Sequence, residues 1–176
     1  NAHTYKAARG RRVAMLERAP LGLPLSERKR DWFFVVAFAL FTCSSLFSDT
    51  PHALGITSGP FGDANAFYAE LAGDAFFASN PLPLRVRLYF SGLVFPLITA
   101  SLVWAFAKGV NGIRPLALMY AGTMVVGVLE FFGWELLSGQ MATNLGVFFG
   151  FNGPYFLIPL LLAVRMWQPN PFGMRE

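Results

Sequence analysis

The sequence has very little of what metal, redox and disulfide-stabilised proteins need. It has one cysteine, Cys43, and two histidines, His3 and His52, among 176 residues. One cysteine forms no intrachain disulfide and no thiolate cluster, and it lies in an apolar segment where a thiol is usually a small filler. Both histidines fall outside the apolar runs described below, so the sequence predicts no metal site, no haem and no other cofactor.

Charge is also scarce. Only 14% of the residues are charged and 55% are hydrophobic, whereas about a quarter of the residues of a soluble domain are charged. The sequence therefore predicts an integral membrane protein of one domain. The net charge of +4 does not indicate a nucleic-acid partner, because eight of the fourteen basic residues precede residue 31 and no basic stripe with aromatics follows.

Four apolar runs approach the length of about 20 residues that crosses a bilayer as a helix. They predict an all-α, integral membrane four-helix bundle. Residues 1–31 form a basic amino-terminal arm, residues 32–167 the membrane domain and residues 168–176 a carboxyl-terminal tail. The predicted spans cover about 32–48, 88–107, 116–137 and 145–167.

Basic residues set the orientation of such a bundle, because Lys and Arg resist translocation. They are concentrated in the amino-terminal arm and also flank the second loop and the carboxyl end, while the third loop, "SGQMATN", has none. Both termini are therefore expected on the cytoplasmic side, or on the matrix or stromal side in an organelle. We call the opposite end of the bundle, where the long loop 49–87 is expected to form a lid, the outer end.

Polar residues gather in the outer half of the predicted bundle. Glu130 and Asn152 each lie seven residues from the outer end of a span, which is about 10 Å deep. We expect Glu130 to donate a hydrogen bond beside Asn152 in a pocket opened by Pro96, Pro154 and Pro159, although a purely structural bond between helices is the alternative. Glu135 lies nearer the interface, where it could reach water.

The order of several short segments resembles the EXPERA family, which includes the emopamil-binding sterol isomerase and the sigma-two receptor. The segments are "LFSD", "FYAELAGDA", "FSGLVF", "IRPLALMYAGTM" and "NGPYFLIPLLL". The resemblance covers about residues 32–170 and is closest to the sigma-two branch. It implies an outer cavity between the helices that accepts sterol-like or cationic amphiphilic molecules.

The resemblance also implies ligand-binding residues. Asp49 matches the acid that meets a ligand amine, and Asp74 matches a second acid of the first loop. Asn152 and Tyr155 match pocket residues of the isomerase branch, and Glu135 matches a carboxylate at the end of the third span. Together with Glu130, these are the candidate ligand-binding residues.

Three family positions differ in this sequence. The second-span carboxylate falls on Gly92 or Ser91, and the first-span histidine and glutamate of the isomerase fall on Phe41 and Ser45. Moving a sterol double bond needs one group to deliver a proton and another to remove one. The sequence therefore assigns no catalytic residue and favours a non-catalytic protein.

Two non-catalytic roles remain open, namely binding of a sterol or other membrane lipid, and service as an accessory subunit of a larger membrane complex, with a homodimer also possible. The alternative is a sterol isomerase-like or related lipid enzyme in which Glu130 replaces the missing groups. The resemblance implies the endoplasmic reticulum, but an organelle or bacterial inner membrane fits the sequence equally.

Overall fold

The computed structural model describes residues 21–173, and all regular structure in that range is helical. Its six helices are α1 (Lys29–Ala53), α2 (Gly59–Ala72), α3 (Ala75–Ser79), α4 (Leu82–Lys108), α5 (Asn111–Ser138) and α6 (Leu145–Arg165). Helices α1, α4, α5 and α6 are each long and apolar enough to cross a membrane. The chain is an integral multi-pass membrane protein, as predicted. Most of the predicted basic arm lies outside the described residues.

Two spans extend beyond their predicted limits at the outer end. Helix α1 continues to Ala53, and α4 begins at Leu82 instead of residue 88. Pro51 and Pro83 stand in the first turns of helical segments, where a missing N–H costs nothing. The polar residues of both extensions lowered the local hydropathy, which is why the apolar windows stopped short. The lid proper is therefore residues 54–81, with α2 and α3.

The four spans enclose an aromatic core and expose an apolar surface. Helix α1 packs on α4, and α5 packs on α6. The largest fully buried side chains include Phe38, Phe106, Tyr120 and Phe148. Leu97, Val126 and Leu137 are more than 60% exposed, which is the arrangement expected where lipid tails replace water around the helices.

A π-helical turn interrupts each of two neighbouring spans at the same depth. Ser45–Asp49 forms one in α1 and Phe90–Val94 forms the other in α4. Pro96 has no N–H to offer the carbonyl of Gly92, four residues earlier. The Thr50 hydroxyl lies 2.9 Å from that carbonyl and 3.0 Å from the carbonyl of Ser45, so its single proton can serve either acceptor.

Helix α6 is also divided, at Gly153. Its segments run from Leu145 to Asn152 and from Pro154 to Arg165. Pro154 therefore opens a new helical segment, whereas Pro159 lies inside a continuous one. Two of the three prolines expected to disturb the spans, Pro96 and Pro154, thus stand next to an irregular turn.

The opposite end of the bundle, which we call the inner end, is closed by a buried ionic cluster. The Asp31 carboxylate accepts from Arg165 Nε at 2.7 Å and Nη2 at 2.8 Å, and it also accepts from Arg28. Arg28 donates as well to the Phe106 carbonyl at 2.7 Å. Asp31 thereby joins the first span to the last and, through Arg28, to the second.

Replacing Asp31 by alanine should lower the free energy of unfolding by about 3–5 kcal/mol, because two guanidinium groups lose their common buried carboxylate. Thermal unfolding in detergent, followed by tryptophan fluorescence, measures the change. Glu27→Ala is the matched control, since Glu27 is an exposed acid four residues away. Equal melting temperatures for the two variants would contradict a structural role for the cluster.

Candidate ligand cavity

A cavity of about 310 Å³ lies at the outer end of the bundle, between the four spans and the lid. Its volume is at the lower limit of those typical of small-molecule sites. Nine of its eighteen lining residues are apolar, and the other nine carry a polar group. The polar residues are Ser44, Ser48, Asp49, Asn65, Tyr68, Arg87, Ser91, Asn152 and Tyr155.

The two π-helical turns bring Asp49 and Ser91 to the cavity. The Ser91 hydroxyl donates to the Asp49 carboxylate, so the first and second spans share a polar contact at this depth. The predicted ligand residue Asp49 thus lies in the cavity wall, beside Ser91.

Helix α6 supplies the other two predicted cavity residues. The Tyr155 hydroxyl donates to Ser44 Oγ at 2.6 Å, and its ring stacks on Phe41 with 4.3 Å between centroids. Asn152 Nδ2 donates to Tyr68 Oη at 2.8 Å and to the Phe148 carbonyl at 2.9 Å. The structure therefore brings Asp49, Asn152 and Tyr155 around one cavity.

Asp74 and Glu135 form a separate pair beneath the lid. Asp74 accepts from the Phe77 amide at 2.7 Å, which caps α3, and from Tyr68 Oη at 3.2 Å. The Glu135 carboxyl lies beside Asp74 and is fully buried. The expectation that Glu135 reaches water was therefore wrong, because the lid folds over the end of α5.

The Asp74–Glu135 pair has an unusual hydrogen-bond balance. Neither oxygen of Glu135 receives a hydrogen bond from the described residues. Two carboxylates only accept, so we expect a proton shared between them to supply the donor that Glu135 lacks. Tyr68 connects this pair to Asn152 and the cavity, and burial raises the pKa of the Tyr68 phenol, which keeps its hydroxyl available as a donor.

Glu130 does not lie beside Asn152. It is exposed and lines a lateral groove of about 670 Å³ between α4 and α5, on the outside of the bundle. The buried face of α5 carries Met124, Val128 and Glu135, spaced four and seven residues apart. Glu130 is two residues from Val128, so at 100° per residue it points away from that face. The expectation that Glu130 donates a hydrogen bond beside Asn152 inside the outer pocket was therefore wrong.

The sequence analysis missed Arg87, which falls at the end of the loop predicted over residues 49–87. Its side chain lines both the cavity and the lateral groove, and its guanidinium lies 5.0 Å from the Phe131 ring centroid. Its Nη1 has no hydrogen-bond partner among the described residues. One signal was available, because Arg87 lies three residues after the buried Leu84 and four before Ser91, and both spacings place side chains on one helical face.

The cavity thus offers one carboxyl and one guanidinium in apolar surroundings. A hydroxyl group suits this pair because it can donate to Asp49 and accept from Arg87 at once. An ammonium group is attracted by Asp49 but repelled by Arg87. The site therefore differs from an acidic site built for amines alone.

Comparison with known protein families gives one match. A family model described as EXPERA (EXPanded EBP superfamily) matches residues 60–166, which is more than half of the chain. The match confirms the family resemblance predicted from the sequence. Searches of curated proteins and of solved structures each find no match.

Gly92→Ala should destabilise the contact between α1 and α4 by about 1–3 kcal/mol. A Cβ at this position would lie 2.5 Å from Thr50 Oγ1 and 2.8 Å from its backbone. Thermal unfolding in detergent measures the effect. Gly122→Ala is the matched control, since a Cβ there meets nothing within 4 Å. A Gly92→Ala melting temperature equal to the control value would show that the two π-helical turns are not tightly packed.

Glu135→Gln should keep the melting temperature near that of the unsubstituted chain, because the amide can donate to Asp74 as the shared proton does. Glu135→Ala should lower the free energy of unfolding by on the order of 2 kcal/mol, since it leaves a cavity and an Asp74 carboxylate oxygen without a donor. The same unfolding assay compares the two variants. If glutamine proves as harmful as alanine, no proton is shared between the carboxyls.

Proposed function

The chain belongs to the EXPERA family, and from this premise we propose that it is a non-catalytic member that binds a sterol or another hydroxyl-bearing membrane lipid in its outer cavity. The observation that carries the proposal is the presence of Asp49 and Arg87 in the wall of one apolar cavity. The predicted residues Asn152 and Tyr155 also line that wall.

The polar groups favour a neutral ligand head. Asp49 and Arg87 offer opposite charges, so an additional full charge on the ligand would be opposed by one of them. A hydroxyl group can donate to the Asp49 carboxylate, and its oxygen can accept from Nη1 of Arg87, which has no hydrogen-bond partner within residues 21–173. The apolar walls, including Phe95, Val128 and Phe131, favour a rigid hydrocarbon body behind the hydroxyl.

The distribution of carboxyl groups favours binding without chemistry. Among the described residues that line the cavity, Asp49 is the only acid. Glu130 lines the lateral groove, and Glu135 is paired with Asp74. Isomerisation of a double bond requires delivery and removal of protons at two carbons, and in this cavity Asp49 alone would have to do both.

Service as an accessory subunit is a second candidate, with a second copy of the chain or a larger membrane complex as partner. The lid helix α2 favours it, because Phe67 is 63% exposed and Leu71 is 43% exposed outside the spans. These side chains suit a protein neighbour or the membrane interface. In this case any lipid in the cavity would be structural.

The test is extraction in mild detergent, native-gel separation and mass spectrometry of bound lipids, followed by titration with a hydroxyl sterol. Asp49→Asn and Arg87→Met should each weaken sterol binding about 10-fold or more, since each removes a charge-assisted hydrogen bond. Glu130→Gln, an acid beside the cavity but outside it, is the matched control and should bind normally.

Two results would reject the proposal in different ways. Migration in a large complex at fixed stoichiometry, with sterol binding unaffected by either variant, would establish the subunit role. Conversion of an unsaturated sterol that is lost in Asp49→Asn would establish an enzyme.

A further inference from the structure

We infer that the inner end of the bundle carries a second lipid site, a groove that binds the headgroup of an anionic phospholipid. The groove lies between the start of α1 and the end of α6 and has a volume of about 1080 Å³. It is at the opposite end from the outer cavity, and it does not depend on the function proposed for that cavity.

The groove has a surplus of positive charge. Its lining contains Arg28, Lys29, Arg30 and Arg165 against Glu27 and Asp31, which leaves two of four cations unbalanced. Asp31 is occupied by Arg28 and Arg165. Asp31 is thus fully engaged in the buried ion pairs, and Lys29 and Arg30 are left to bind an external anion.

Lys29 and Arg30 are accessible for that purpose. Both are exposed, and within residues 21–173 neither takes part in an ion pair. They stand on the first turn of α1, where the aligned backbone N–H groups also favour a negative charge. A phosphate placed here meets two mobile cations and is backed by the guanidinium cluster.

The apolar part of the groove identifies the anion as a lipid headgroup. Phe33, Leu161 and Val164 line the same groove and are 49%, 51% and 74% exposed. Exposed Trp32 and Trp167 flank it, as aromatic residues do at the level of lipid headgroups. A soluble anion would leave this apolar surface uncovered, whereas the acyl chains of a phospholipid cover it.

The test uses the full chain in detergent and measures retention of phosphatidylglycerol and phosphatidylcholine by native mass spectrometry. The unsubstituted chain should retain phosphatidylglycerol preferentially. Lys29→Gln with Arg30→Gln should reduce that retention on the order of 20-fold, since each basic residue near an anionic lipid contributes about 5-fold. Lys108→Gln, an exposed cation at the inner end outside the groove, is the matched control and should retain it normally.

Three further arms decide the interpretation. Sterol binding should be unchanged in the double variant, which separates this site from the outer cavity. Equal retention of phosphatidylglycerol by the double variant and the control would overturn the site. Displacement of the lipid by inorganic phosphate at comparable concentration would overturn the assignment of the ligand as a phospholipid, because the groove would then be a site for a free anion.

Discussion

The bilayer offers no water to a backbone group that loses its partner, and the contact between Thr50 and Gly92 shows how this chain meets that constraint. Pro96 has no N–H to donate to the Gly92 carbonyl, and the Thr50 hydroxyl lies 2.9 Å from that carbonyl across the helix interface. Because Gly92 has no side chain, the two spans approach closely enough for that contact. Their π-helical turns then place Asp49 and Ser91 at one depth, where the Ser91 hydroxyl donates to the Asp49 carboxylate in the cavity wall.

The fold could be predicted from the sequence because hydropathy over about 20 residues is a strong signal. The four spans, the all-α bundle and the loop that covers one end were all predicted from the pattern of hydropathy along the chain. The limits of α1 and α4 were not, because polar residues such as Asp49 and Arg87 belong to helices whose outer turns line a cavity. A hydropathy window treats such turns as loop, although their polar side chains are enclosed by protein and not by lipid.

The site was predictable only in part, and the difference lies in the direction of side chains. The family resemblance implied that Asp49, Asn152 and Tyr155 bind a ligand, and all three line the outer cavity. Depth alone suggested Glu130, but depth does not specify which face of a helix a residue occupies. The register of Met124, Val128 and Glu135 along α5 does specify it, and it separates the outward Glu130 from the inward Glu135. The pairing of Glu135 with Asp74 required the path of the lid, which no local pattern encodes.

Arg87 occupies the partition between the cavity and the lateral groove, together with Phe95 and Met124, which also line both. The groove opens on the side of the bundle, so it is the direct approach for a molecule dissolved in the hydrocarbon. A solute arriving by that approach reaches a guanidinium before it reaches the Asp49 carboxylate. The Glu130 carboxylate lines the same groove, so a charged solute on that path meets one carboxyl and one guanidinium, the same pair of charges that the cavity presents with Asp49 and Arg87.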